Sequence, residues 1–161
     1  MSALLLAHLR EAAKHVGREG EPLLTGLDET AAAQRALALV AEAGLTKWTV
    51  PARWSGAEAD ELAASDDVSC RAMCALREPL AYHSAMLDVM LVMQGLGSYS
   101  LARAGKPEAC RELLPRVARG ELVAAFGLTE PQAGSDLGRI ATRAERVGSK
   151  WRISEIGRAH V

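Results

Sequence analysis

Leu128-Thr129-Glu130-Pro131-Gln132-Ala133-Gly134-Ser135-Asp136 is the stretch on which the reading of this chain turns. Upstream of it, Leu122, Ala124, Phe126 and Leu128 alternate with Val123, Ala125, Gly127 and Thr129. A period of two is strand spacing. Both sets are apolar or small until Thr129, so both faces of the strand are expected to be covered. Pro131 has no N–H to donate and ends regular pairing. Gly134 permits a tight turn, and Ser135 and Asp136 offer side-chain oxygens to nearby backbone. The residues alone leave two readings open. One is a structured loop between strands with Asp136 as a cap; the other is a loop at a strand end that holds a ligand.

Beyond this turn, residues 141–147 alternate again, Gly148-Ser149 interrupts, and residues 150–153 resume. That pattern predicts a hairpin or the start of a small antiparallel sheet, too little to supply its own core. Before the turn the period is 3.6. Leu5, Leu9, Ala12 and Val16 predict an amphipathic helix over residues 3–16, closed by Gly17 and Gly20. A second helix starts near Asp28 or Thr30 and stops at Gly44, placed as a C′ glycine. Residues 46–56, with Trp48 and Trp54 around Val50-Pro51, read as an extended loop tied down by indoles. A short helix is expected over residues 58–65, with Asp66 or Asp67 capping the next.

The longest helical stretch spans residues 69–103, with a break expected near Pro79. Leu80, His83, Leu87, Met90 and Gln94 form one stripe; Tyr82, Met86, Val89 and Met93 form another. Apolar residues on two faces predict a central helix. Its methionines suit either core packing or an irregular lipid-lined wall, and core packing is preferred. His83, among apolar neighbours, reads as a satisfied packing residue and not a catalytic one. Gly95 and Gly97 allow a close approach or an early end. Pro107 sits well at the first position of a further helix, and Gly120 closes the turn that Pro115 restarts. The chain is therefore expected to be mainly α, with an all-helical domain over residues 1–120 and the start of a β domain over 121–153.

Composition narrows the function classes. The 161 residues are 49% hydrophobic and 24% charged, which is the make-up of a folded domain. With 19 basic and 20 acidic residues the net charge is -1, and no basic field exists to neutralise a run of phosphates. General nucleic-acid binding is excluded on that ground, whereas one pyrophosphate held by backbone N–H groups is not. Cys70, Cys74 and Cys110 lack zinc-site spacing and read as small buried hydrophobes. The apolar start lacks a basic n-region and reads as a first helix, and the apolar run at 86–93 is too short to span a bilayer. A cytoplasmic protein with no membrane span is the expectation.

The central turn resembles the signature of the acyl-CoA dehydrogenase family, in which an aliphatic residue precedes Thr-Glu-Pro, two variable residues and Gly-Ser-Asp. Leu113-Leu114-Pro115-Arg116-Val117-Ala118-Arg119-Gly120-Glu121 is similar to the family's lead-in, and Ala43-Gly44-Leu45 and Val50-Pro51 before Trp54 are similar to its first domain. The resemblance implies an N-terminal helical domain followed by the first strands of an incomplete β-barrel-like middle domain. It implies FAD as cofactor, with Phe126, Leu128 and Thr129 beside the isoalloxazine ring and the threonine donating toward its reactive middle. Gly134 would let the backbone approach closely. Ser135 would sit where the flavin site meets the acyl-CoA channel, touching cofactor or substrate. Glu130 belongs to the loop's own hydrogen bonding, and the catalytic base is expected outside this sequence.

The reaction so implied is α,β-dehydrogenation of an acyl-CoA to the 2-enoyl-CoA, as in fatty acid metabolism. Electrons then pass to an electron-transferring flavoprotein or a similar acceptor. A homotetramer or homodimer is implied for the whole protein. Lys150-Trp151-Arg152-Ile153 is similar to the family's hairpin, but residues 154–161 depart from it. The final seven, 155–161, resemble the translation of a sequencing adapter, and 154–161 read as a non-native tail on a truncated, inactive chain. Two other classes stay open: a non-catalytic helical interaction module, and an acyl-CoA oxidase or flavin monooxygenase of the same fold.

Overall fold

The computed structural model describes residues 1–55, 67–154 and 158–160. Contacts divide the chain into two compact units, Met1–Ala124 and Ala125–Val161.

Among the described residues six α-helices build the first unit: α1 (Ala3–Gly20), α2 (Glu29–Glu42), the single turn α3 (Ala52–Ser55), α4 (Cys70–His83), α5 (Ala85–Ala104) and α6 (Pro107–Ala118). Helix α1 lies along α4, and α5 touches α2, α4 and α6. Ser2 caps α1 by accepting from the Leu5 N–H at 3.2 Å. The helix does not close at Gly17, contrary to the sequence expectation, but runs through it to Gly20. The reason is crowding: a Cβ on Gly17 would lie 2.9 Å from His83 Cδ2, and one on Gly20 would lie 3.2 Å from Leu39 Cδ1. At Gly17 glycine serves close approach between helices and not termination, whereas α1 ends at Gly20 as expected.

Helix α2 begins as expected, with Asp28 Oδ1 accepting from the Ala31 N–H at 2.9 Å, and its end is marked by Gly44 at φ 70°. Residues 46–55 depart from the extended loop expected over 46–56. A 3-10 turn covers Leu45–Thr49 and α3 follows, while Val50 before the proline is extended at φ -123°, ψ 141°. Two buried threonines hold this compact path. Thr49 Oγ1 donates to the Thr46 carbonyl at 2.8 Å, and Thr46 Oγ1 donates to the Ala118 carbonyl at 2.6 Å. The helix expected at 58–65, and Asp66, lie outside the described residues. Ser69, not Asp67, caps α4, accepting from the Ala72 N–H at 3.3 Å.

The break in the long helical stretch falls at Ser84, not Pro79. Proline lacks its own donor and crowds the carbonyl four residues back, yet Pro79 is accommodated within α4. Ser84 ends one helix and starts the next: its N–H donates to the Leu80 carbonyl at 2.8 Å and its Oγ accepts from the Leu87 N–H at 3.4 Å. Leu80, Leu87, Met90 and Gln94 of the first stripe are buried. On the second, Met93 is buried, whereas Tyr82 is 85% exposed and Val89 faces outward too. Helix α5 is long and apolar enough to cross a membrane by length and composition, but its inner face belongs to the core of the unit. Gly95 lies against Thr49 without ending the helix.

The core is aliphatic, as the scarcity of aromatics dictates. Leu9, Ala13, Leu37, Val40, Leu76, Leu80, Leu87 and Leu91 lead the main cluster, and Val50, Leu114, Val117 and Cys110 lead a second. Of the three cysteines only Cys110 is buried. Cys70 and Cys74 are exposed on the first turns of α4, because the inward positions there are taken by Ala72, Ala75 and Leu76.

One ion pair crosses from α4 to α5. Arg77 grips Asp88 with two bonds, Nε to Oδ1 at 2.7 Å and Nη2 to Oδ2 at 2.8 Å, and Asp88 is only 8% exposed. The bond to Asp88 raises the Arg77 pKa above its ordinary value. Truncating the arginine strands a nearly buried carboxylate. Because Arg77 itself is half in water, Arg77→Met should cost about 1–3 kcal/mol, less than a fully buried pair. A companion Asp88→Leu in the same chain should recover most of it. Urea unfolding midpoints decide this, and a double variant no better than the single would refute the account.

In the second unit β1 (Phe126–Thr129) pairs antiparallel with β4 (Arg158–His160), and β2 (Arg143–Val147) pairs antiparallel with β3 (Lys150–Ser154). The hairpin between β2 and β3 appears where the alternation placed it. Gly148, at φ 62°, takes the first position of its two-residue turn, where a positive φ matches the strand twist. Strand β1 is shorter than expected and starts at Phe126. The Leu122 carbonyl and Ala124 N–H, which a longer ladder would use, are taken by the Gln94 side chain. Nor are both faces covered: Val123 is 53% exposed, and Gly127 and Thr129 face out. All of β2 and β3 is exposed, so this unit has no apolar core of its own among the described residues.

Candidate functional site

The turn that opened the sequence reading is held by one side chain. Glu130, 5% exposed, receives four donors on its two oxygens. Oε1 accepts from the Thr142 N–H at 2.8 Å and from the Thr142 hydroxyl; Oε2 accepts from the Ala141 N–H at 2.7 Å and from the Gln132 amide. Alongside, Glu130 and Ala133 exchange backbone bonds at 3.1 and 3.0 Å, closing the tight turn around Pro131. Asp136 Oδ1 accepts from the Gly138 N–H at 3.2 Å and caps the 3-10 turn Leu137–Arg139. The capping role read from the sequence is thus present.

The Thr142 hydroxyl, and after it the Ala141 N–H, hold the Glu130 carboxyl below its ordinary pKa, against the opposing effect of burial. A depressed pKa means that the bonds contribute stability above the unfolded carboxyl's pKa and lose it as pH falls through the folded value. The Ala141 and Thr142 amide proton resonances should therefore hold steady down through the ordinary glutamate range, about pH 4.3, and shift only at lower pH. Movement centred at or above that range would contradict the geometry.

Of the residues expected at a cofactor, Phe126 and Leu128 are half-buried and Thr129 is exposed. The pairing shifts between Gly127 and Thr129, leaving Leu128 as an extra residue on its strand, a bulge of the kind that re-aims side chains at strand ends. Ser135 and Gly134 are exposed. Among the described residues the Thr129 and Ser135 hydroxyls have no hydrogen-bond partner. Gly134 has no positive φ and nothing within 4 Å of where its Cβ would stand. Neither its backbone nor its neighbours require glycine; a ligand approaching the backbone would.

The sequence reading missed Gln94, which it placed only on an apolar stripe. Fully buried, this residue grips three backbone groups at once. Nε2 donates to the Val117 carbonyl at 3.2 Å and the Leu122 carbonyl at 2.9 Å, and Oε1 accepts from the Ala124 N–H at 2.6 Å. It anchors the segment that runs into β1. A lone amide in an otherwise apolar stripe was the available signal, since a buried amide must find partners.

Comparison with known proteins gives the site its context. Residues 6–121 match the model of the family described as "Acyl-CoA dehydrogenase, N-terminal domain". A cyclohexane-1-carbonyl-CoA dehydrogenase of Geobacter metallireducens is 34% identical over 118 residues, covering 73% of this chain and 29% of that protein. A glutaryl-CoA dehydrogenase of Desulfococcus multivorans is 33% identical over 78 residues, or 48% of this chain and 20% of that one. Among solved structures, a glutaryl-CoA dehydrogenase in complex with glutaryl-CoA matches with a TM-score of 0.74 at 25% identity, covering 96% of this chain and 38% of that chain. The mainly helical fold with a few strands at its end is the fold of that structure's matched part. The sequence thus spans about a third or less of the length of these relatives.

Proposed function

Because the chain belongs to the acyl-CoA dehydrogenase family, we propose that its Thr129–Ser135 loop forms one wall of a flavin and acyl-CoA site. The supporting observation is the pair of hydroxyls, Thr129 and Ser135, exposed and without a partner among the described residues, beside an open glycine on a loop latched at a strand end. These groups fit FAD. Thr129 Oγ1 can donate toward the ring, the Gly134 backbone can come close to it, and Ser135 can donate to cofactor or thioester. Phe126 and Leu128, half-buried on the same strand, would lie beside the ring. FAD, when bound, would supply the two-electron acceptor. The chain's own share is to orient and to stabilise: a neutral donor at Thr129 favours charge that develops nearby.

The substrate class is a CoA thioester, as in both relatives' names, and the reaction is α,β-dehydrogenation with onward transfer to a flavoprotein acceptor. Glu130 is not the proton acceptor, since each of its oxygens already accepts two hydrogen bonds. Asp136 is committed to its cap. Titrating the purified chain with FAD should quench flavin fluorescence saturably, and adding an acyl-CoA anaerobically should leave the flavin oxidised. Bleaching at the rate of a full-length relative would place a proton acceptor within these residues and overturn the assignment. Absence of quenching at millimolar FAD would remove the cofactor wall from this chain.

A further inference from the structure

We propose that Glu130 is a positioning residue of this site, its carboxylate tying together the two ends of the 130–142 loop and thereby setting where the Thr129 and Ser135 hydroxyls stand. The inference rests on the flavin reading above and deepens it. Ala133 is the one buried apolar residue of the loop, and residues 134–142 are all exposed, with Leu137 53% and Ile140 37% exposed, so beyond Ala133 no apolar burial holds it. Its backbone bonds are local, joining Glu130 with Ala133, Arg139 with Asp136, and Ile140 with Leu137. Among the described residues, only the Glu130 carboxylate bonds the Thr129 end of the loop to residues 141 and 142. The same carboxylate takes Gln132 from inside the turn.

The donor set also explains why the residue is an acid. Two backbone N–H groups, a hydroxyl and an amide NH2 converge on it, and only an ionised carboxylate accepts from all four. Glutamine has the same size but turns an NH2 toward one pair of donors. Glu130→Gln should therefore open the latch, whereas Thr142→Val removes one donor and leaves the two backbone bonds. If Glu130 and Thr142 act as one unit, the valine substitution should have no further effect once the glutamine is in place.

The experiment uses the full chain as wild type, E130Q, T142V and the double variant. It follows amide exchange at Ala141 and Thr142, FAD affinity and the visible spectrum of bound FAD. Expected are an exchange rate and an FAD dissociation constant each raised about tenfold in E130Q, less in T142V, and no more in the double variant than in E130Q. The bound-flavin band should shift with E130Q, and the helical melting transition should stay in place. Faster exchange with unchanged FAD affinity and spectrum would make Glu130 merely structural and overturn the proposal, as would unchanged exchange. If the wild type binds no FAD, the flavin reading fails, and the backbone resonances of Thr129 and Ser135 decide the positioning: moved in E130Q they support it, unmoved they refute it.

Discussion

Replacing Gln94 by leucine should lower the melting temperature of the helical unit by about 10 °C, from a loss of about 3 kcal/mol in a unit of this size. Leucine fills nearly the same volume, so packing contributes little to the loss. What changes is the pairing of three backbone groups. The Val117 carbonyl keeps a second partner, the Gly120 N–H at 2.9 Å. The Leu122 carbonyl and the Ala124 N–H lose the bonds at 2.9 and 2.6 Å, in a site where the amide itself is fully buried. Stranding a buried donor or acceptor costs about 1–3 kcal/mol each. Gln94→Glu offers a sharper control. At neutral pH its carboxylate can accept from Ala124 but faces two carbonyls, so it should be as damaging as leucine. Protonation restores a donor, and part of the loss should return on acidification. Circular dichroism melts at two pH values read both effects, and a leucine variant within 2 °C of the wild type (~0.5 kcal/mol) would show that the amide is not the anchor.

Gly120→Ala should be nearly as damaging, at about 2–4 kcal/mol, for two separable reasons. The backbone stands at φ 71°, a left-handed conformation that ends α6. The Gly120 N–H donates to the Val117 carbonyl and the Glu121 N–H to the Arg116 carbonyl, both at 2.9 Å, which completes a Schellman cap. In addition, a Cβ on Gly120 would fall 2.4 Å from the Cβ of Ala41 on α2. Removing that methyl isolates the steric part. Measured against Ala41→Gly alone, the Gly120→Ala change should cost only the backbone strain, about 1–2 kcal/mol. Urea midpoints of the four chains give the cycle. Equal costs in both backgrounds would mean that α2 yields to the added methyl without loss.

These residues also mark how far local sequence reached. Asp28, Gly44, Pro107 and Gly148 did what their types imply, because a cap or a tight turn is decided within a few residues. Gly17 and Pro79 did not. A glycine can end a helix or admit a neighbour, and His83, far away in sequence, selects the second. A proline can break a helix or ride within one, and here Ser84, with both an N–H and an Oγ to offer, supplied the better break. The outward face of Tyr82 and Val89 is chemically like the inward face of Leu87 and Met90, so composition could not say which stripe meets the other helices.

For the turn at 128–136, the sequence by itself determined that a strand ends at Thr129, that Pro131 forces a turn, that Asp136 caps, and that the chain belongs with dehydrogenases of CoA thioesters. Each of these depends on neighbours within a few residues or on the order of the motif. Only the tertiary structure decided that Glu130 accepts four hydrogen bonds on its two oxygens, and that β1 begins no earlier than Phe126. Those outcomes depend on partners distant in the chain: residues 141 and 142 for Glu130, and Gln94 for the residues before β1. A hydrogen bond fixes geometry only when both groups are present in space, and sequence spacing does not carry that information across a loop.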